Sequence, residues 1–353
     1  MAASREASFS NGEQQVNKTI LVATAGQGIL RSSDNGKSWK RLDLDQDIEF
    51  DGVVRSLAVH PDNPRLVFAG ADVGLCKSTD GGVNWKRIDS ILNGQTVWSI
   101  CFDPSNPKHM LCGTGAPSRA GFFRSTDGGE SWTKLPPEIP ERCAGVSKPR
   151  VLTCAIDPSN SKHLWFGIEE GGLFRSRDAG ETWERIDGER GGVNNSDIHC
   201  ITFIPGPPQT LLVVVVNAIY VSKDDGKTWK GFNARQQWTL RYARTVRVRP
   251  GTNEAFLVIG DSTPGHTSKV LKSTDLGESW IEVPLTQTPN SAFWAVGVNE
   301  ADSLLMFAGS KYGHLFRTED GGQTWFKEWR EFSEITDVTW TPVLTVDNPP
   351  QHH

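Results

Sequence analysis

The sequence predicts an all-β fold, a closed ring of seven four-stranded blades, and three observations carry that reading. An eight-residue pattern, Ser/Thr-x-Asp-x-Gly-x-x-Trp, recurs seven times and ends at Trp39, Trp85, Trp132, Trp183, Trp229, Trp280 and Trp325. Successive Trp are 46, 47, 51, 46, 51 and 45 residues apart, which leaves each repeat room for four short strands and their turns. The composition agrees: 35 Gly and 20 Pro in 353 residues, with 13 Trp against 3 Met, is the balance of many short strands and turns rather than of helices.

The repeated residues have the chemistry of a hairpin turn. In the first copy, Ser32 to Trp39, Gly36 supplies a backbone position with positive φ, Asp34 offers a carboxylate to backbone N–H groups across the turn, and Ser32 adds a local bond. Trp39 then folds back as an apolar plug with one N–H to satisfy. The motif resembles the Asp-box, or BNR, repeat of sialidases, sortilin-type domains, some xyloglucan hydrolases and the photosystem II stability/assembly factor family. Seven matches over residues 32 to 325 imply a seven-bladed β-propeller, and what they specify is the blade rather than any catalysis.

Each repeat carries two earlier strands. The innermost are expected at Val54 to Val59, Val97 to Phe102, Val151 to Ile156, Ile198 to Phe203, Ala243 to Val248, Phe293 to Val298 and Ile335 to Trp340. Several end in Asp-Pro turns, as at Asp103-Pro104 and Asp157-Pro158, with Pro at the second position of a type I turn. Second strands follow, as in Leu66 to Gly70 and Leu304 to Gly309. The chain begins on a second strand, Ile20 to Thr24, and ends on a first strand with no later Asp box, so its two ends should complete one blade and leave no open edge. The expected organisation is a disordered tail over 1–17, one propeller over 18–345 and a C-terminal tail over 346–353.

A formal charge of −5 and a pI near 5.9 argue against a nucleic-acid protein of the pervasively basic kind. No apolar run approaches the roughly 18 residues of a membrane span, and residues 1–17 lack the apolar stretch of a secretory signal. Six dispersed Cys without a CxxC pair read as small core residues in a reducing compartment, so a cytoplasmic location is expected.

Chemistry is expected at one mouth of the ring, where loops entering the innermost strands meet loops joining second and third strands. Aligned on the turn that follows, the innermost strands bring Arg55, Trp98, Leu152, His199, Arg244, Trp294 and Thr336 toward the axis. The second-to-third loops add Asp72, Glu169, Asp261, Lys311 and Tyr312. His199 is the candidate general acid or base, with Glu169 or Asp261 orienting it or acting as partner base. Arg55 and Arg244 are candidates to hold a carboxylate or phosphate, or else to pair with Asp72, Glu169 or Asp261 and fill the tunnel. Trp98 and Trp294 would stack against a ring or sugar face, or plug the axis. Asp72, Lys311 and Tyr312 complete the substrate-binding set, and Asp72, Glu169 and Asp261 are also candidate divalent-ion ligands. His60, His109 and His163 read as turn residues of the opposite face. Arg235, Arg241, Arg244, Arg247 and Arg249 form a local basic segment, a solvated face or a partner patch.

These residues lead to an expected cytosolic hydrolase or lyase acting on a small anionic molecule in the axial pocket, with no organic cofactor. The alternative is a non-catalytic protein-binding or assembly scaffold, as the resemblance to the photosystem II assembly factor family implies. A sialidase-like glycoside hydrolase is the lesser alternative, since that family is six-bladed and uses an Arg triad with a Tyr nucleophile.

Overall fold

The computed structural model describes residues 18–342 apart from 144, 187 and 189–191. The tails expected at 1–17 and 346–353, and the last three residues of the expected propeller segment, lie outside the described residues. Seven four-stranded antiparallel sheets make up the fold. In the first blade, the C-terminal strand Glu334–Pro342 pairs with Lys18–Ala25, which pairs with Ile29–Ser32 and then Lys40–Arg41. The ring is thus closed by the two chain ends, as the strand register requires. The other six blades follow in chain order, with innermost strands Val54–His60, Val97–Phe102, Val151–Asp157, Ile198–Ile204, Tyr242–Val248 and Phe293–Gly297.

The Asp boxes form one hydrogen-bond cage with small local variations. In the third blade, Ser125 Oγ donates to Asp127 and accepts from Gly129 N, while Asp127 also accepts from the amide and hydroxyl of Ser131. Trp132 Nε1 donates to Gly129 O at 3.0 Å. These bonds hold the exposed carboxyl of Asp127 down at about 2, chiefly through Ser131, and Asp34 and Asp178 are held there in the same way. The box Gly is needed twice over at Gly322, where φ is 85° and a Cβ would lie 2.3 Å from the Phe256 ring of the preceding blade. Between blades, each box Trp wedges against its predecessor. Trp85 packs with Leu21 and Ile29, and Trp325 with Phe256 and Val258, so the core is a ring of seven interblade clusters.

The box hairpins dock on the turns after the innermost strands, through Gly81 N to Arg65 O, Gly128 N to Lys108 O and Ala179 N to Lys162 O. That places both on one face. On the other face, the second-to-third loops bond the loops that enter the innermost strands, through Asp72 N to Val53 O, Glu169 N to Arg150 O and Lys311 N to Ala292 O. Among the described residues one short α-helix, Ala234–Trp238, capped by Asn233, departs from the all-strand pattern.

Candidate axial binding site

Every innermost strand begins with a register shift against its second strand. The shifts fall between Val54 and Ser56, Val97 and Ser99, Val151 and Thr153, Ile198 and Cys200, Ala243 and Thr245, and Phe293 and Ala295. In the closing blade the same shift skips Thr336. The skipped residues are Arg55, Trp98, Leu152, His199, Arg244, Trp294 and Thr336. A bulge frees its extra residue from the ladder and re-aims the side chain. All seven line one axial cavity of about 560 Å³.

Just beyond several of the bulges, side chains tie one innermost strand to the next. Ser99 Oγ donates to Val151 O, Thr245 Oγ1 donates to Trp294 O, Ile201 N donates to Thr153 Oγ1, and Leu57 N donates to Asp337 Oδ2 at 2.8 Å. Burial pushes the Asp337 carboxyl up to about 6 against the pull of Arg247, its neighbour in the lower cavity.

The charges at the mouth are paired. Arg55 makes a bidentate bond to Asp72 at 3.0 and 3.2 Å, Arg150 pairs with Glu169, and Lys311 with Glu334. His199 is buried with both ring nitrogens facing acceptors, Nδ1 2.7 Å from Ala243 O and Nε2 3.3 Å from Asp197 Oδ1. Burial raises the pKa of Glu169, outweighing the opposing pull of Arg150 and then Arg244. Arg244 differs from Arg55, Arg150 and Lys311: among the described residues no carboxylate lies within 4.0 Å of it. Its guanidinium lies 3.6 Å from the Trp294 ring centre, and Lys311 Nζ lies 4.0 Å from that same centre. Trp98 stands likewise between Arg55 at 4.3 Å and Arg150 at 5.1 Å. Each indole thus sits by two cations, an arrangement favoured by its negative π face.

Several expected site residues are placed otherwise. Asp261 does not line the cavity; its carboxylate accepts from the backbone N–H groups of Ser262, His266 and Thr267 and holds its own loop. Tyr312 is exposed and outside the lining. Asp72 and Glu169 stand at the rim as ion-pair partners rather than as lining residues. Among the described residues, Asp72, Glu169 and Asp261 do not converge on one point as ion ligands must. The basic segment is no single patch: Arg244 and Arg247 enter the cavity, while Arg249 pairs with Glu254 at 2.6 Å.

Arg150, Asp197, Glu334 and Asp337 are not among the sequence-based candidates, and Arg247 is there only as part of the basic segment. The first three lie one or two residues before, or at the start of, an innermost strand, so extending each strand backwards would have found them. Tyr242, buried beside His199 and Trp294, was available by the same step.

Fold and repeat together define the class: this chain is a seven-bladed Asp-box (BNR) β-propeller. The BNR/Asp-box repeat profile matches residues 123–134, and the Sortilin-Vps10 profile, described as sortilin, neurotensin receptor 3, matches residues 171–311. Xyloglucanase Xgh74A of Acetivibrio thermocellus is 27% identical over 276 residues, covering 66% of this chain and 32% of the relative. The chain thus spans about a third of the length of the curated relatives it matches first. YCF48 from Cyanidioschyzon merolae superimposes with a TM-score of 0.58 at 15% identity, covering 84% of this chain and 90% of that one. A structure of YCF48 bound to D1 peptide gives 0.53, also at 15%, covering 82% and 85%. At that identity the structural likenesses speak to the fold alone. No helix among the described residues is long and apolar enough to cross a membrane.

Proposed function

We propose that this propeller is a non-catalytic binding scaffold whose axial mouth takes an acidic group from a partner protein segment, with Arg244 as anchor. The observation that carries the reading is the pairing at the mouth. Asp72, Glu169 and Glu334 each face a cation of the protein, Asp197 lies 3.3 Å from His199, whose Nδ1 is 2.7 Å from Ala243 O, and Arg244 is left with an aromatic face and no carboxylate. A guanidinium in a cavity, flanked by a second cation and an indole, suits a carboxylate that can accept two parallel N–H bonds. The peptide-bound YCF48 structure supports a protein partner for a propeller of this size.

A hydrolase is the second reading, favoured by the xyloglucanase relatives and by the raised pKa of Glu169, which suits a general acid. It requires Arg150 to release Glu169 and a second carboxylate to stand free across a bound sugar. The first expectation, an enzyme for small anions, keeps Arg244 as anchor but needs His199 to give up one of its two contacts.

The test is a panel of acidic peptides with free or amidated C-termini, followed by the emission of Trp98 and Trp294, alongside release of reducing ends from xyloglucan. Saturable peptide binding lost in Arg244→Gln supports the scaffold. Xyloglucan turnover abolished by Glu169→Gln replaces it with the hydrolase.

A further inference from the structure

On the face opposite the mouth, we infer a divalent transition-metal site, of zinc type, formed by Asp157, His163 and Asp225 between the fourth and fifth blades. One ligand atom from each lies within 4.8 Å of the others. His163 Nδ1 is 3.5 Å from Asp157 Oδ2 and 3.7 Å from Asp225 Oδ1. Ligand atoms bonded at about 2.0–2.1 Å around a tetrahedral zinc stand roughly 3.4 Å apart, so these separations fit with little movement.

The inward atoms are free and the outward atoms are held. Asp157, with a side chain only 6% exposed, accepts from Ser159 N, Ser159 Oγ and Gln209 Nε2, all at Oδ1. Its Oδ2 receives no hydrogen bond among the described residues. His163 Nδ1 is buried with no hydrogen-bond partner among them, while its Nε2 is 3.1 Å from the Asn160 side-chain amide. Asp225 Oδ2 is held by Arg177 at 3.1 Å, leaving Oδ1 toward the histidine. The contacts on the two carboxylates orient them as ligands, and Nδ1 ligation requires the Asn160 amide to turn its oxygen toward an Nε2–H. A cavity at this point is lined by the three residues and by Gln209, Lys223 and Lys227 among others, and Lys223 shares Glu278, at 2.8 Å, with Lys230.

The repeat separates this site from an ordinary turn. One blade earlier, Asp103 and His109 reproduce the pair, with Nδ1 3.6 Å from Oδ2 and Asn106 beside Nε2. The third ligand is missing there, because Ala179 occupies the box position that Asp225 fills in the next blade. Elsewhere that position is Asn35, Gly81, Gly128, Leu276 or Gly321. Asp225 therefore adds a carboxylate at one blade junction that already has a buried acid and histidine. One His nitrogen and two carboxylate oxygens favour zinc or a similar borderline ion over calcium or magnesium, which prefer oxygen alone.

The test is calorimetric titration of Zn²⁺ and, separately, Ca²⁺ into chelator-treated full-length protein, with His352 and His353 replaced by Ala to remove terminal ligands. One equivalent of Zn²⁺ should bind, with Ca²⁺ silent, and Asp225→Ala should abolish binding while the melting temperature without metal stays near that of the parent. Ala179 already adopts the same positive φ, 60° against 59°, so this variant keeps the fold. His163→Gln should weaken Zn²⁺ by at least about tenfold. No stoichiometric Zn²⁺ uptake, or uptake unchanged in Asp225→Ala, overturns the site. Peptide binding at the mouth is measured on the same samples and is expected to be unaffected.

Discussion

The two faces of this ring use repetition in opposite ways. At the Asp-box face, sequence and geometry repeat together: the Ser or Thr, Asp and Gly recur with the same bonds from blade to blade. At the mouth, only the backbone repeats. Seven bulges at one register carry Arg, Trp, Leu, His, Arg, Trp and Thr. Identical side chains mark what builds a blade; a repeated backbone device with divergent side chains is where the proposed recognition is placed, because a bulge delivers any residue to the axis without altering the ladder beyond it.

This contrast predicts that scaffold changes cost stability while removing the ring's Arg244 costs binding. The largest effect should come from ending the chain before Glu334, which removes the partner of Lys18–Ala25 and the buried Ile335, Val338 and Trp340. Each such side chain contributes about 1.5–3 kcal/mol against a typical total of about 5–15 kcal/mol, so cooperative melting by circular dichroism should vanish. Next, Trp325→Ala, at a fully buried box residue, should lower unfolding free energy by about 3–5 kcal/mol in denaturant titrations.

Smaller and pH-dependent is Asp127→Asn. The folded carboxyl sits at about 2 because Ser131, then Ser125, bonds its ionised form, whereas the unfolded chain titrates near the ordinary 3.8. Its stabilisation is present above about pH 4 and lost as pH falls through about 2. The melting-temperature gap between wild type and Asp127→Asn should therefore be widest at pH 7 and close toward pH 2; an equal gap at both contradicts the cage. The smallest stability change is expected for Arg244→Gln, about 1 kcal/mol from the lost contact with Trp294. Its binding defect should nonetheless exceed that of Trp325→Ala measured where both are folded.

Much of the fold was legible because its periodic signal is strong. The seven boxes and the odd strand at each end fixed blade number and closure, and the ring residues followed from aligning each innermost strand on its turn. The pairing of the ring was not legible. Arg55 and Asp72 are 17 residues apart in one blade, a bulged strand residue meeting a loop carboxylate, and Lys311 and Glu334 are 23 apart on neighbouring blades, so their approach depends on the bulge in one case and on how blades dock in the other. Asp261 illustrates the converse: a loop carboxylate in a promising segment is taken up by its own turn, as Asp side chains commonly are. The engagement of His199 with Ala243 O, 44 residues away, likewise depends on how two blades meet.

The measurement that bears most directly on the central claim is calorimetric titration of one acidic peptide with a free C-terminal carboxylate into wild type, Arg244→Gln and Leu152→Ala. Losing the free guanidinium should weaken binding at least about tenfold, roughly 1.4 kcal/mol, with a shallower salt dependence, while Leu152→Ala keeps near wild-type affinity. Equal affinity in wild type and Arg244→Gln, or no binding by wild type, contradicts the assignment of the bulged ring as an acidic-group receptor.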